Sequence, residues 1–251
     1  MAARAVLAGV ANATPKSGGD EVEMVRMLKS TKDSAVKART QAINQMKALV
    51  VTAPAELREA LDGLTEAGAL ATRCAGFRPG RLVTPTAAAR HALRSLAHRY
   101  RQLTAELLDL EAELDRLTRT TAPALVAAFG IGPDTAATLL VTAGSNPERL
   151  RSEAAFAALC GVNPIPASSG KTDRHRLNRG GDRQANAALY RIVVVRLRHD
   201  QRTKTYMQRR RAEGMSKAEV IRCLKRYVAR EVFAVLRDLG RRNVAKGLDS
   251  L

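Results

Sequence analysis

The chain has 251 residues, of which 45% are hydrophobic and 3% aromatic, and it contains no tryptophan. A core built mostly from Leu, Val and Ala favours packed helices over a β-sandwich. The net charge of +18, from 42 Lys and Arg against 24 Asp and Glu, indicates a polyanionic partner, of which nucleic acid is the first candidate. Because no apolar run of ~18 residues occurs, we expect no membrane span.

The cysteines and histidines do not follow a metal-binding pattern. The three cysteines, Cys74, Cys160 and Cys223, lie far apart in the sequence, and none has a second ligand at zinc spacing. We therefore expect that this chain binds no metal itself. Unpaired cysteines suit a reducing, cytoplasmic setting.

Three segments follow one another along the chain. Residues 1–19 have linker composition and are expected to form a flexible tail. Residues 20–120 are predicted to be a helical, coiled-coil segment, with one long helix capped by Asp20 and another entered through Thr84-Pro85. Residues 121–251 form a separate C-terminal domain in this interpretation.

The second long helix carries the most regular pattern in the sequence. Apolar residues recur alternately three and four positions apart: Leu93, Leu96, Tyr100, Leu103, Leu107, Leu110, Leu114 and Leu117. This spacing is typical of a coiled-coil seam. Its partner is either the helix at residues 20–51 or a second copy of the chain. A second copy would make the protein a homo-oligomer through this segment, which is our expectation.

The C-terminal domain opens with a glycine turn between two helical stretches. Gly130 and Gly132 in the run Gly130-Ile131-Gly132-Pro133 are typical of a helix-hairpin-helix, whose free backbone N–H groups bind phosphate without reading sequence. The alternative is an ordinary helical hairpin. No clear period-2 strand follows, so the sequence predicts an all-α fold: long coiled-coil helices, then a helical C-terminal domain with a helix-hairpin-helix-like element.

A serine–glycine loop within a strongly basic region is the main candidate for chemistry. Ser168 and Ser169 precede Gly170, and residues 170–230 carry 18 Lys and Arg against five Asp and Glu. Hydroxyls beside cations fit attack on a phosphodiester; the alternative is a solvated polar loop. The cations predicted to hold phosphate are Lys171, Arg174, Arg176, Arg179 and Arg183.

Several of these motifs in one order resemble a known family. The order is Gly130-Ile131-Gly132-Pro133, Leu159-Cys160-Gly161-Val162-Asn163-Pro164, Ser168-Ser169-Gly170 and Asn178-Arg179-Gly180-Gly181-Asp182-Arg183, followed by a long basic helix. Residues 121 to about 240 resemble the C-terminal half of the DEDD insertion-sequence transposases of the Piv/MooV-like type, the one-hundred-and-ten and one-hundred-and-sixteen group. Residues 20–118 resemble the helical middle segment of that family.

The resemblance implies a DNA transposition protein with a serine nucleophile. Ser169 matches the expected position of that nucleophile, and Ser168 is the neighbouring alternative. The family also implies a structured guide RNA as a partner, and an N-terminal RuvC-like domain whose four acidic residues bind Mg²⁺.

The chain begins where that RuvC-like domain should end, which leads to an expectation and an alternative. We expect a truncated transposase that binds nucleic acid and lacks independent activity. The alternative, from a different functional class, is a non-catalytic nucleic-acid-binding protein built on a coiled-coil dimer. A structural basic protein, such as a ribosome-associated one, would explain the charge but not the serine loop.

Overall fold

The computed structural model describes residues 2–9, 21–144, 150–168 and 175–248. The elements, numbered in chain order, are α1 (Ala2–Leu7), α2 (Glu21–Thr52), α3 (Ala55–Ala60), α4 (Ala67–Ala75), α5 (Pro85–Thr121), α6 (Pro123–Ala127), α7 (Pro133–Ala143), α8 (Glu153–Leu159), β1 (Ile165–Pro166), β2 (His175–Arg176), α9 (Arg183–His199), α10 (Gln201–Ala212) and α11 (Lys217–Leu248). The predicted all-α fold is confirmed. The chain divides into two compact units, one formed by residues 28–113 and the other by Met1–Met27 together with Leu114–Leu251.

Unit 28–113 is held together by an apolar cluster that joins α2 to α5. Met46 of α2 lies in this cluster with Leu93 and Ala97 of α5, and all three are fully buried. Further along the same helices, Lys32 Nζ lies 3.1 Å from Glu111 Oε1. These two contacts show that the helices run antiparallel. Buried residues of α3 and α4 complete the apolar cluster.

The other unit has α9 at its centre. This helix packs against α7, α10 and α11, while α11 also contacts α6 and α8. Phe156, Leu189 and Ile192 are fully buried and lie in the core of this unit. Burial of large aliphatic and aromatic side chains contributes about 1.5–3 kcal/mol each relative to exposure.

Capping bonds fix the starts of three helices, and the first of them confirms the predicted entry at Thr84-Pro85. Ala87 N donates to Thr84 Oγ1 at 3.1 Å, directly before Pro85. Gln184 N and Ala185 N donate to Asp182 Oδ1 at 2.7 and 3.1 Å. Ser216 and Glu219 form the reciprocal pair of a capping box, with Ser216 N donating to Glu219 Oε2 at 2.9 Å.

One local feature differs from the sequence-based expectation. Residues 165–166 and 175–176 form a two-stranded antiparallel sheet, which is too short to produce an alternating pattern. The Arg209–Arg211 triplet lies within helix α10, and the described part of the N-terminal tail contains the short helix α1. None of the helices in the described part of the chain combines the length and the apolar character that a membrane crossing needs.

Candidate nucleic-acid interface

The two serines lie in the sequence between the two strands of a short antiparallel pair. Ile165 pairs with Arg176 and Pro166 pairs with His175, and residues 167–174 lie between them in the sequence. Ser168 lies in this segment and is exposed. Ser169, Gly170, Lys171 and Arg174 lie outside the described residues, so the choice between the two hydroxyls stays a prediction.

The base of the hairpin is fixed by the side chain of Asn178. Its Nδ2 donates to Asn163 Oδ1 at 2.7 Å and to the Ala158 carbonyl at 3.2 Å. Its Oδ1 accepts from Gly180 N at 2.8 Å. One amide therefore joins α8, the segment before β1 and the glycine pair before α9.

The glycine pair allows two backbone segments to touch. A Cβ on Gly181 would lie 2.2 Å from Gly161 N and 2.4 Å from Gly161 Cα, so only glycine fits there. Gly161 itself has φ of +64°, a conformation that glycine adopts readily. Asp182 N then donates to the Leu159 carbonyl at 2.7 Å, and this bond fixes the start of α9 against the end of α8.

Asn186 on α9 extends this framework to α11. Its Nδ2 donates to the carbonyls of Cys160 and Gly161 at 2.9 and 3.0 Å, which leaves Oδ1 to accept from Lys225 Nζ at 2.8 Å. The ammonium group of Lys225 is thereby held at a fixed position on α11. Burial lowers the pKa of Lys225, and the positive charge of Arg222 lowers it further.

The hairpin base and α11 enclose a groove of about 770 Å³. Its walls are rich in cations and, among the described lining residues, Glu219 is the acid. Residues from the hairpin side include Pro164, Asn163, Leu177 and Asn178. The basic residues that line it are His175, Arg176, Arg222, Lys225, Arg226 and Arg230. We call this feature the basic groove.

Two arginines of the basic groove, Arg226 and Arg230, contact an acid from α8. Glu153 forms an ion pair with Arg226, and its other oxygen lies 3.5 Å from Arg230 Nε. Burial and the neighbouring Arg230 lower the pKa of Arg226. Glu153 and Glu219 are two carboxylates beside five Lys and Arg side chains, so the wall of the groove stays electropositive, a setting that favours a phosphate anion.

Only some of the cations predicted from the sequence line the basic groove. Arg176 lines the basic groove, whereas Arg179 and Arg183 are exposed but are not among its lining residues. Sequence reasoning missed Arg222, Arg226 and Arg230, which recur at four-residue spacing on α11. That spacing places them on one helix face and is the signal that would have found them.

The predicted glycine turn between α6 and α7 packs onto α9. Gly130 has φ of +83°, and a Cβ there would lie 3.4 Å from the Ile192 carbonyl oxygen, so this glycine serves the packing of the turn. Gly132 is the N-cap of α7 and has open space beside it. Phosphate binding by these two residues stays a prediction.

The acidic, histidine and cysteine side chains of the described residues are dispersed. Within the described ranges, no three His, Cys, Asp or Glu side chains come together as metal ligands would. Burial raises the pKa of the Cys160 thiol to about 12 and that of Cys74 to about 11, so both behave as buried apolar groups.

The chain is similar to known insertion-sequence proteins over the part that carries this site. Residues 122–208 match the family described as Transposase IS116/IS110/IS902 family. The chain is 34% identical over 133 residues to the "Insertion element IS110 uncharacterized 43.6 kDa protein" of Streptomyces coelicolor, an alignment that covers 51% of this chain and 32% of that protein. It is 28% identical over 163 residues to the "Insertion element IS900 uncharacterized 42 kDa protein" of Mycobacterium paratuberculosis, covering 64% and 40%.

These alignments span between about a third and two fifths of each relative's length. The matched family segment runs from α6 into α10 and contains the glycine turn, the serine hairpin and the whole of α9. Over residues 122–208 the chain is therefore similar to the IS116/IS110/IS902 transposase family, and its relatives include two insertion-element proteins.

Proposed function

We propose that this protein acts in DNA transposition by holding the DNA backbone in the basic groove, next to the hairpin that carries Ser168 and Ser169. The observation that supports this proposal is the groove itself. Its lining combines the base of the serine hairpin with the arginine face of α11. A strand whose phosphates occupy the groove therefore passes the connection between β1 and β2.

The binding step is tested by the salt dependence of DNA affinity. The five Lys and Arg side chains that line the groove would release condensed counterions when they contact phosphate, so the logarithm of the affinity should fall with the logarithm of the salt concentration with a slope of about −4.5. Fluorescence anisotropy of a labelled duplex, measured from low to moderate salt, gives this slope. A flat response would contradict the proposal.

Ser169 is the proposed nucleophile, with Ser168 as the alternative. Attack by the hydroxyl oxygen on phosphorus would form a phosphoserine link and release a hydroxyl end on the broken strand. Neutral serine is a weak nucleophile and needs activation. The test therefore adds magnesium and a RuvC-like domain of the family as a separate chain, and looks for a covalent protein–DNA adduct on a denaturing gel.

The two serine variants give distinct outcomes in that assay. We expect Ser169→Ala to abolish the adduct and Ser168→Ala to retain it. Loss of the adduct only in Ser168→Ala would identify Ser168 as the nucleophile. If neither the unaltered chain nor either variant forms an adduct while DNA binding persists, the protein is a non-catalytic binder.

Two further partners are proposed on the family resemblance. A structured guide RNA would compete with duplex DNA for the basic groove, and the same anisotropy assay measures that competition. Self-association is the second, and sedimentation of the intact chain tests it.

A further inference from the structure

Two exposed aromatic rings stand at the edge of one cleft. The chain has four tyrosines, four phenylalanines and no tryptophan. Phe129 is 54% exposed and Tyr227 is 46% exposed, and both line a cleft of about 500 Å³ bounded by α9, α10 and α11. Large apolar rings that converge on one exposed concavity are a feature of binding sites.

Phe129 is presented by a turn with a fixed conformation. Arg196 Nε donates to the Phe129 carbonyl at 3.0 Å, and Arg196 Nη1 also pairs with Glu231 Oε2 at 2.7 Å. The next residue, Gly130, packs against Ile192 on α9. The ring is therefore held at the cleft without a cost of ordering a loose loop on binding.

Tyr227 is held from the other side of the cleft. Its ring meets Tyr206 edge to face, with centroids 5.7 Å apart and planes at 89°. The Arg230 guanidinium lies 6.0 Å from the Tyr227 ring and that of Arg209 lies 5.4 Å from the Tyr206 ring. Burial raises the pKa of Tyr206 to about 12, so its phenol stays neutral around pH 7.

Tyr227 also connects the cleft with the basic groove, because it lines both. A strand whose phosphates lie along α11 would therefore pass Tyr227, with its bases able to turn into the cleft. Aromatic faces next to a basic groove are the recurring arrangement for single-stranded nucleic acids, because every base has a face on which to stack.

We propose that the cleft between Phe129 and Tyr227 is a stacking site for an unpaired base of single-stranded DNA. The inference rests on the proposed function, since the exchange of strands between duplexes exposes unpaired nucleotides and duplex DNA keeps its bases stacked internally. Arg196 and Gly130 act as positioning residues for Phe129. The cations of the basic groove hold the phosphates on either side of the stacked base.

The test uses a short single-stranded DNA that carries one 2-aminopurine, whose fluorescence falls when the base stacks on an aromatic ring. Tyr227→Leu and Phe129→Leu, which lie on different elements, should each weaken single-stranded binding by about 5- to 150-fold and remove the quenching. Tyr227→Phe keeps the ring and should keep both. Tyr190→Leu is the matched control, because Tyr190 is 47% exposed on α9 and is not a lining residue of the cleft.

The possible outcomes separate this inference from the proposed function. Equal losses of affinity in Tyr227→Leu and Tyr190→Leu, or unchanged quenching in Phe129→Leu and Tyr227→Leu, would overturn the stacking site while salt-dependent duplex binding by the unaltered chain still stood. If the unaltered chain bound neither duplex nor single-stranded DNA, both the stacking site and the proposed function would be contradicted. An RNA of the same sequence that binds more tightly, with the same dependence on Tyr227, would assign the cleft to RNA and overturn the DNA assignment.

Discussion

At the scale of single residues, the serine hairpin is positioned by small and polar groups. Gly181 allows the backbone before α9 to touch Gly161. Asn178 and Asn186 then satisfy the carbonyls of Ala158, Cys160 and Gly161 at the end of α8. Buried polar groups that were left without these bonds would be costly, so this framework holds the hairpin in one place.

Gly181→Ala should destabilise the fold through a clash of backbone atoms. The new Cβ would meet Gly161 N and Cα at less than 2.5 Å, and neither atom belongs to a flexible side chain. We expect a loss of about 1–3 kcal/mol in the free energy of unfolding, measured by thermal denaturation.

Gly180→Ala is the control for that substitution. It is the neighbouring residue, and its Cβ would lie 3.4 Å from Asn178 Oδ1, which is an ordinary contact distance. If the melting temperature fell equally in both variants, the close approach of Gly161 and Gly181 would not be the cause of the lost stability.

At the scale of elements, the seam between α2 and α5 mixes apolar and charged positions. Lys29 and Lys32 are among the buried residues of α2, in line with apolar positions such as Ala35 and Met46. Lys29 forms an ion pair with Asp33 on its own helix, and Lys32 reaches Glu111 on α5. A polar pair within a seam selects one register at a cost in stability.

Lys32→Leu should leave the stability of the fold unchanged or raise it. The leucine would extend the apolar seam, and Glu111, whose side chain is 53% exposed, would keep its hydration. Glu111→Gln should instead lower the stability by about 1 kcal/mol or more, because it removes a charge partner from a buried ammonium group. Chemical denaturation of both variants measures the two changes, and a large loss of stability in Lys32→Leu would contradict the argument.

The elements also show which parts of the structure could be predicted from sequence. The entry at Thr84-Pro85, the cap at Asp182 and the Ser216–Glu219 box were predictable because each depends on residues within one turn of a helix. The basic groove was not, since it depends on contacts between distant segments, such as that of Asn178 with Asn163 and that of Asn186 with Lys225. The strands of the hairpin were also too short to leave a pattern.

At the scale of the whole molecule, the positive charge is divided unequally between the two units. Residues 28–113 carry 13 Lys and Arg against nine Asp and Glu, whereas the rest of the chain carries 29 against 15. Net charge alone would attract a polyanion to any part of the surface. A defined interface requires instead that the position of the charges matters.

Two double variants with the same change in net charge separate these possibilities. Arg222→Gln with Arg230→Gln removes two cations from the basic groove, and Arg94→Gln with Arg101→Gln removes two exposed cations from α5. Because each lost phosphate contact reduces the salt slope by about 0.9, the groove variant should lose about 2 from the slope of the logarithmic plot for duplex DNA. The α5 variant should keep the slope of the unaltered chain. Equal reductions in both would show that binding follows total charge and not the groove beside the serine hairpin.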